Sequence, residues 1–174
     1  GVGMAAIQLG KEIGARVIAT AGSAEKREFC RQQGADQVLD HGDENWVDEV
    51  KELTGGMGAD VIYDAVGGDY AQAALRAIAW QGRFLVVGFP AGIPSIPLNL
   101  VLLKGCQIVG VFWGSFTDRE AETNRDNNHE LMALYASGEI KPHVSKRYSL
   151  AEAGQGISDL AERRALGKIV VMLD

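Results

Sequence analysis

The first 26 residues, GVGMAAIQLGKEIGARVIATAGSAEK, decide how the rest of the chain is interpreted. They predict a glycine turn, a short amphipathic helix, a buried strand at 16–21 and a second turn that starts another helix. A glycine turn at a helix N-terminus leaves backbone N–H groups free, and the helix dipole adds positive potential there. Gly1, Val2 and Gly3 therefore form a predicted binding site for a phosphate group.

The end of the first predicted strand indicates which nucleotide binds. In dinucleotide-binding folds, an acidic residue about 20 residues after the glycines holds the ribose hydroxyls of NAD. Here Gly22 and Ser23 occupy that position, Lys26 follows, and no carboxylate lies between residues 13 and 24. A hydroxyl and an ammonium suit a 2′-phosphate, so the sequence predicts NADPH as the cofactor. The alternative is that Ser23 only caps the next helix and that Lys26 points into water.

Composition narrows the class of protein. The chain has 174 residues and a net charge of −6, which argues against a nucleic-acid-binding surface. The apolar run at 100–103 is far too short to cross a bilayer. Cys30 and Cys106 are isolated, so they predict neither a disulfide framework nor a metal site, and they indicate a cytoplasmic location.

The chain alternates between helical and strand-like segments. Glycine-alanine followed by β-branched residues recurs at 14–18, 34–38 and 58–62, which is typical of a parallel sheet covered by helices. We therefore predict an α/β fold with a doubly wound parallel sheet, the Rossmann arrangement. The predicted strands are 16–21, 37–40, 60–66, 83–89 and 107–113, and the predicted helices are 3–13, 24–33, 44–54, 70–80, 98–104 and 119–137.

The last part of the chain differs from the rest. A capping box at Ser149–Glu152 predicts a helix that reaches Ala165, and 168–173 reads as a strand. In a Rossmann fold the first strand precedes the glycine turn, whereas this chain opens inside that turn. We therefore expect part of a longer protein, with an NADPH-binding domain at 1–138 and a returning segment of a catalytic domain at 139–174. Alone, the chain is expected to bind the cofactor weakly and to lack turnover.

Five stretches resemble the medium-chain dehydrogenase/reductase superfamily, and specifically its quinone oxidoreductase branch. They are GVGMAAIQL at 1–9, ATAGSAEK at 19–26, DVIYDAVGG at 60–68, GRFLVVGF at 82–89 and GKIVV at 167–171. The resemblance covers essentially the whole chain. It implies transfer of a hydride from the nicotinamide C4 of NADPH to a quinone or an α,β-unsaturated carbonyl compound.

The resemblance also assigns roles to residues. It implies that Gly1, Val2 and Gly3 contact the pyrophosphate, and that Gly22, Ser23 and Lys26 form the 2′-phosphate pocket. His41 stands where the family has a tyrosine or histidine near the adenosine phosphate. The residues implied to lie beside the nicotinamide and its carboxamide are Val66, Gly68, Val87, Gly88, Phe89, Val111, Phe112 and Trp113.

Several of these assignments have simpler alternatives. His41 can be a solvent-exposed loop residue, and Phe112 and Trp113 can be core or interface aromatics. Asp64, inside an apolar strand, is better interpreted as a hydrogen-bonded structural residue than as a catalytic acid. No catalytic residue and no metal ligand is assigned within the chain.

Other functions remain open at this point. An enoyl or alkenal reductase, or a zinc alcohol dehydrogenase with metal ligands upstream, would share the superfamily features. A nucleotide-binding module without catalysis is the alternative of another class, and the missing acid at Gly22 disfavours a methyltransferase. The uncharged apolar strand 107–113 predicts a homodimer through antiparallel pairing with a second copy. The alternative is that the helix 119–137 covers this edge.

Overall fold

A computed structural model describes residues 1–162 and 164–173. In chain order the elements are α1 Val2–Glu12, β1 Ile18–Thr20, α2 Ala24–Gln32, β2 Gln37–Leu39, α3 Trp46–Leu53, β3 Ala59–Asp64, α4 Tyr70–Arg76, β4 Ile78–Val86, α5 Leu98–Lys104, β5 Gln107–Gly110, α6 Trp113–Arg119, α7 Ala121–Ser137, β6 Val144–Ser149, a 3₁₀ turn Leu150–Glu152, α8 Ala153–Ala161 and β7 Lys168–Met172.

The strands pair with their neighbours in the sequence. β3, β4 and β5 form a three-stranded parallel sheet in that order, β6 pairs with β7 in parallel, and β1 is hydrogen-bonded to β2. Parallel neighbours require a crossover, which α4 provides between β3 and β4 and α5 provides between β4 and β5. The predicted α/β architecture with a parallel sheet is confirmed.

The chain divides into two compact units. The terminal unit comprises Gly1–Val38 and the described residues from Met132 onwards, and the central unit comprises Leu39–Leu131. The domain boundary at 138 stays a prediction. None of the helices within residues 1–162 and 164–173 combines the length and the apolar character that a bilayer crossing requires.

The core of the central unit lies between α4 and the three-stranded sheet. Leu75 and Ile78 are fully buried, and they pack with Phe84, Ala71 and Cys106. Small and branched side chains on α4 thus fill the space above β4, which holds this part of the sheet in place. Cys106 is a buried core residue, as the isolated cysteines of the sequence suggest.

The terminal unit contains a buried charge cluster in its β6–α8–β7 segment. Asp159 on α8 is only 2% exposed. Lys146 Nζ donates to it at 2.6 Å, the Tyr148 hydroxyl donates to it as well, and Arg164 donates through Nε and Nη2 at 2.9 and 2.6 Å. The Lys146 and Tyr148 hydrogen bonds, followed by that of Arg164, hold the pKa of this carboxyl well below its usual range. Asp159 therefore ties α8 to β6.

The capping box that was predicted at the start of this segment is present. The Ser149 hydroxyl contacts Glu152 Oε2 at 2.8 Å, and the Ser149 N–H donates to the same oxygen at 3.1 Å. The predicted helix starts as a 3₁₀ turn and continues as α8, which ends at Ala161 rather than at Ala165. Residue 163 of the predicted helix lies outside the described residues.

The predicted helix 70–80 is too long. α4 ends at Arg76 and β4 begins at Ile78, which pairs with Ala59. The register then shifts before the next pair, and Gln81 adopts a positive φ of 60° inside this irregular stretch. A Cβ at Gly82 would lie 2.6 Å from Ile78 Cγ1, so the following glycine permits the close bend. Residues 78–80 have a local pattern that favours a helix, but pairing with β3 places them in a strand.

The predicted strand 107–113 is also too long. β5 ends at Gly110, and Trp113 is the first residue of α6. The helix predicted at 119–137 is observed as α7, which begins at Ala121 and is preceded by the separate helix α6. The prediction was too long because residues 111–113 are as apolar as β5, although the backbone leaves the sheet after Gly110.

Candidate cofactor-binding site

The N-terminus of α1 is open to an anion. Gly1 is its N-cap residue and supplies no side-chain hydrogen bond, and the first turn contains no carboxylate. Gly1, Val2 and Gly3 are exposed, and a Cβ at Gly3 would meet nothing within 4 Å. The first amide that bonds within the helix is that of Ala5, which donates to the Gly1 carbonyl at 3.2 Å. The preceding amides are therefore available to an anion, as the sequence predicts.

The end of β1 brings Ser23 and Lys26 together. Ser23 caps α2, and its Oγ accepts the Lys26 N–H at 3.2 Å. The capping interpretation is therefore correct, but it leaves the hydroxyl proton of Ser23 free to donate to a ligand. Lys26 is half-buried, and its ammonium makes no ion pair among the residues described. Both groups can serve a phosphate while the cap stays in place.

Sequence reasoning missed one cation in this region. Arg27 Nη1 donates to the carbonyl of Ala21 at 3.1 Å, which holds the guanidinium beside the carboxyl end of β1. The sequence signal that could have identified Arg27 is its position directly after Lys26, in the first turn of α2. Two consecutive basic residues thus follow the strand end where an NAD-binding protein would carry an acid.

His41 lies in the central unit, directly after β2. It is half-buried rather than solvent-exposed, and it packs edge-on against the Tyr70 ring with centroids 4.6 Å apart. Its buried Nδ1 has no hydrogen-bond partner within the described part of the chain. A ligand atom that bonds to this nitrogen would remove an uncompensated buried polar group.

An open cavity of about 780 Å³ adjoins His41. Its cations lie in the last turns of three helices, where they complement the helix dipoles. Two of them are already engaged, because Lys51 pairs with Asp48 at 2.8 Å and Lys104 Nζ donates to the Ile78 carbonyl at 3.1 Å. The cavity is lined by His41, Gly42, Asp43, Glu44, Trp46, Val47, Asp48, Lys51, Asp69, Tyr70, Ala73, Arg76, Leu100 and Lys104.

Two loops meet at the carboxyl ends of β3 and β4, also in the central unit. The Gly68 N–H donates to the Gly92 carbonyl at 2.7 Å, and the Ala91 N–H donates to the Val66 carbonyl at 2.9 Å. These bonds join the loop after β3 to the loop after β4. Five of the residues predicted near the nicotinamide, Val66, Gly68, Val87, Gly88 and Phe89, lie in these joined loops.

The third predicted nicotinamide segment follows β5. The Val111 N–H donates to the Val86 carbonyl at 2.9 Å and continues the ladder by one bond beyond the strand. Phe112 and Trp113 then leave the sheet, with 77% and 69% of their surfaces exposed. Phe112 and Trp113 are therefore not core residues. Contact with a ligand or with a partner surface remains as the interpretation of these two side chains.

Each unit by itself offers groups that suit one part of a dinucleotide cofactor. The terminal unit offers free amides, a hydroxyl and an ammonium, which suit phosphate groups. The central unit offers uncharged loops with half-exposed apolar side chains, which suit a nicotinamide ring. Within residues 1–162 and 164–173, no group of three or more His, Cys, Asp and Glu side chains could hold a metal ion.

The chain is similar in sequence to proteins named as dehydrogenases and quinone oxidoreductases. The family described as zinc-binding dehydrogenase matches residues 1–128. The chain is 36% identical to the quinone oxidoreductase-like protein 2 homolog of Nematostella vectensis, over 98% of this chain and 47% of that protein. The chain spans about half the length of the curated relatives it matches.

Two solved structures of similar fold have names that mention different cofactors. The Escherichia coli quinone oxidoreductase complexed with NADPH matches with a TM-score of 0.88 and 30% identity, over 99% of this chain and 54% of that one. A structure named NAD-dependent alcohol dehydrogenase matches with a TM-score of 0.86 and 32% identity, over 100% of this chain and 48% of that one. Together with the parallel sheet and the glycine turn, these likenesses show that the chain belongs to the zinc-binding dehydrogenase family, within the medium-chain dehydrogenase/reductase superfamily.

Proposed function

We propose that this chain binds NADPH within an enzyme that transfers a hydride to a quinone or an α,β-unsaturated carbonyl compound. One observation carries the choice of cofactor: Ser23 and Lys26 occupy the end of β1, where an NAD-binding protein carries an acid. The names of the relatives support the choice of acceptor. NADPH, when bound, supplies the hydride, and the protein supplies position and environment.

Each group of residues has one task in this proposal. The free amides at Gly1, Val2 and Gly3 hold the pyrophosphate, because the first turn of α1 contains no competing carboxylate. The Ser23 hydroxyl and the Lys26 ammonium hold the 2′-phosphate through charge-assisted hydrogen bonds.

The central unit serves the nicotinamide end of the cofactor. The loops after β3 and β4 present Val66 and Phe89, whose apolar side chains exclude water from the ring. The backbone of Val111, Phe112 and Trp113 binds the carboxamide, and His41 approaches the adenosine phosphate through its unpartnered Nδ1. These roles rest on the family resemblance. The exposed side chains of Val66, Phe89, Phe112 and Trp113 and the unpartnered Nδ1 of His41 support them.

A reductase assay tests this function. The full-length protein expected to carry this chain should oxidise NADPH in the presence of 1,4-benzoquinone, and it should oxidise NADH more slowly at equal concentrations. The isolated chain should show no turnover. Equal rates with NADH, or no rate with any quinone or enone, would contradict the proposal.

A second candidate is an alcohol dehydrogenase. The similarity to a structure named NAD-dependent alcohol dehydrogenase favours it. The two functions differ in their products, so the same preparation should be offered a panel of primary alcohols with NAD⁺ and NADP⁺. Alcohol oxidation that is lost on treatment with a zinc chelator would establish the second candidate instead.

We also propose that the protein forms a homodimer through β5 and that it resides in the cytoplasm. β5 is hydrogen-bonded to β4 and to no other strand of the described sheet. Ile108 is 38% exposed on this uncharged edge. Antiparallel pairing with a second copy would satisfy the backbone groups along it. Two isolated cysteines suit a reducing compartment.

A further inference from the structure

Asp64 ends β3 with its carboxylate turned back onto its own loop. Oδ1 accepts the Val66 N–H at 2.9 Å and the Gly67 N–H at 2.9 Å. Each peptide unit is planar, so these two hydrogen bonds restrain both peptide units that flank Val66. The Asp64 side chain therefore restrains the backbone from which the Val66 side chain projects.

The loop that Asp64 holds has no room to adjust. Gly67 is buried and has a φ of +69°, and a Cβ there would lie 2.7 Å from the Gly92 carbonyl. Gly68 has a φ of +60°, and a Cβ there would lie 2.8 Å from the Ala91 carbonyl. Glycine adopts a positive φ without strain, and the absence of a Cβ lets the loop after β4 approach both residues closely. The Asp64 carboxylate holds this glycine loop on one side, and the loop after β4 packs on the other.

The main chain of Asp64 belongs to the same arrangement. Its carbonyl accepts the Val87 N–H at 2.9 Å, at the point where the loop after β4 begins. One residue thus bonds to both loops, through its side chain to the first and through its backbone to the second. Removing the side chain would take away its two hydrogen bonds to the first loop and leave the sheet pairing intact.

We propose that Asp64 is a positioning residue for hydride transfer: it orients the Val66–Gly68 backbone against the nicotinamide ring without touching the reacting atoms. The inference rests on the proposed function, in which this loop lines the nicotinamide. Because reaction rates respond steeply to small displacements of a bound ring, removing the carboxylate acts on the chemical step more than on cofactor affinity.

Three variants of the full-length protein test the role. Asp64→Ala should lower kcat with NADPH and benzoquinone about 10- to 100-fold. It should raise the primary isotope effect with NADPH deuterated at C4, since hydride transfer becomes slower. Asp64→Asn keeps an oxygen acceptor and should retain kcat within about threefold. Asp60→Ala is the matched control, because Asp60 is an exposed carboxylate on the same strand, β3, and should change kcat by less than about twofold.

Binding measurements separate positioning from general damage. By calorimetry, Asp64→Ala should bind 2′,5′-ADP, which lacks the nicotinamide, within about twofold of wild type. It should bind NADPH about tenfold more weakly. An equal loss of affinity for both ligands, an unchanged kcat and NADPH affinity, or an Asp64→Asn variant as impaired as Asp64→Ala would overturn the proposal. If the wild type shows no turnover, the proposed function fails, and the comparison of NADPH with 2′,5′-ADP still decides the role of Asp64.

Discussion

Replacing Lys26 with alanine should change the cofactor preference and little else. The Lys26 ammonium makes no ion pair within residues 1–162 and 164–173, so its removal leaves no described carboxylate unpaired. Ser23 is the poorer target, because its Oγ also caps α2 through the Lys26 N–H at 3.2 Å. That N–H belongs to the backbone, so Lys26→Ala preserves the cap and removes only the side chain.

The magnitude follows from the chemistry of the contact. A hydrogen bond to a charged group contributes about 1.5–3 kcal/mol. One lost contact to the 2′-phosphate corresponds to a fall in NADPH affinity of about 10- to 150-fold. NADH lacks that phosphate, so its affinity should stay within about twofold. The ratio of the two dissociation constants therefore reports on this contact alone.

Fluorescence titration of the full-length protein with NADPH and NADH measures that ratio. Arg31→Ala is the matched control, since Arg31 lies on the same helix and pairs with Glu28 at 3.3 Å on the exposed surface. It should leave the ratio unchanged. Equal affinities in the wild type, or an equal loss for both coenzymes in Lys26→Ala, would refute the reasoning.

Three further predictions concern stability and assembly. Gly58→Ala should lower the free energy of unfolding in urea by about 2–5 kcal/mol, because its Cβ would lie 2.5 Å from the Ala77 carbonyl at a φ of +88°. Gly55→Ala, at a φ of +63° with open space around it, should lower it by only about 1–2 kcal/mol. Equal losses of stability in the two variants would contradict the argument. Asp159→Asn should lower the Tm at pH 7. Because the pKa of Asp159 is depressed in the folded state, its stabilisation is complete above the unfolded value of about 4 and is lost gradually as the pH falls below it. The difference in Tm should therefore begin to shrink below about pH 4, and a difference as large at pH 2 as at pH 7 would count against this origin. Ile108→Lys should convert the proposed dimer to a monomer in light scattering, and a monomeric wild type would rule the dimer out.

The sequence correctly predicted the elements that depend on residues only a few positions apart in the chain. The segment 98–104 is a helix with the predicted bounds, and the capping box at Ser149 starts a helical segment as expected. Both depend on neighbours within a few residues in the chain. The resemblance to a family then supplied what local patterns cannot, namely the roles of separate loops.

Tertiary pairing decided the elements that were predicted wrongly. Ile78 and Ala79 follow a helix and continue its composition, yet they belong to β4 because Ile78 pairs with Ala59 across the sheet. Trp113 follows an apolar strand, yet it starts α6. The capping bond of Ser23 was foreseen as an alternative to phosphate binding, and the geometry makes the two compatible. Arg27 was missed because its bond to the Ala21 carbonyl joins a helix to the strand before it.

The pairing of strands with their neighbours in the sequence also bears on how fast the chain folds. Tyr63 pairs with Leu85, Leu85 pairs with Val109, and Tyr148 pairs with Val171. Each pairing closes a loop of only roughly 20–25 residues, so the entropic cost of bringing its two strands together is small. Parallel sheets usually fold slowly because their partners are distant in the chain, and short separations lower that barrier. Short separations between paired strands should therefore favour fast pairing within the β3–β4–β5 sheet and within the β6–β7 pair.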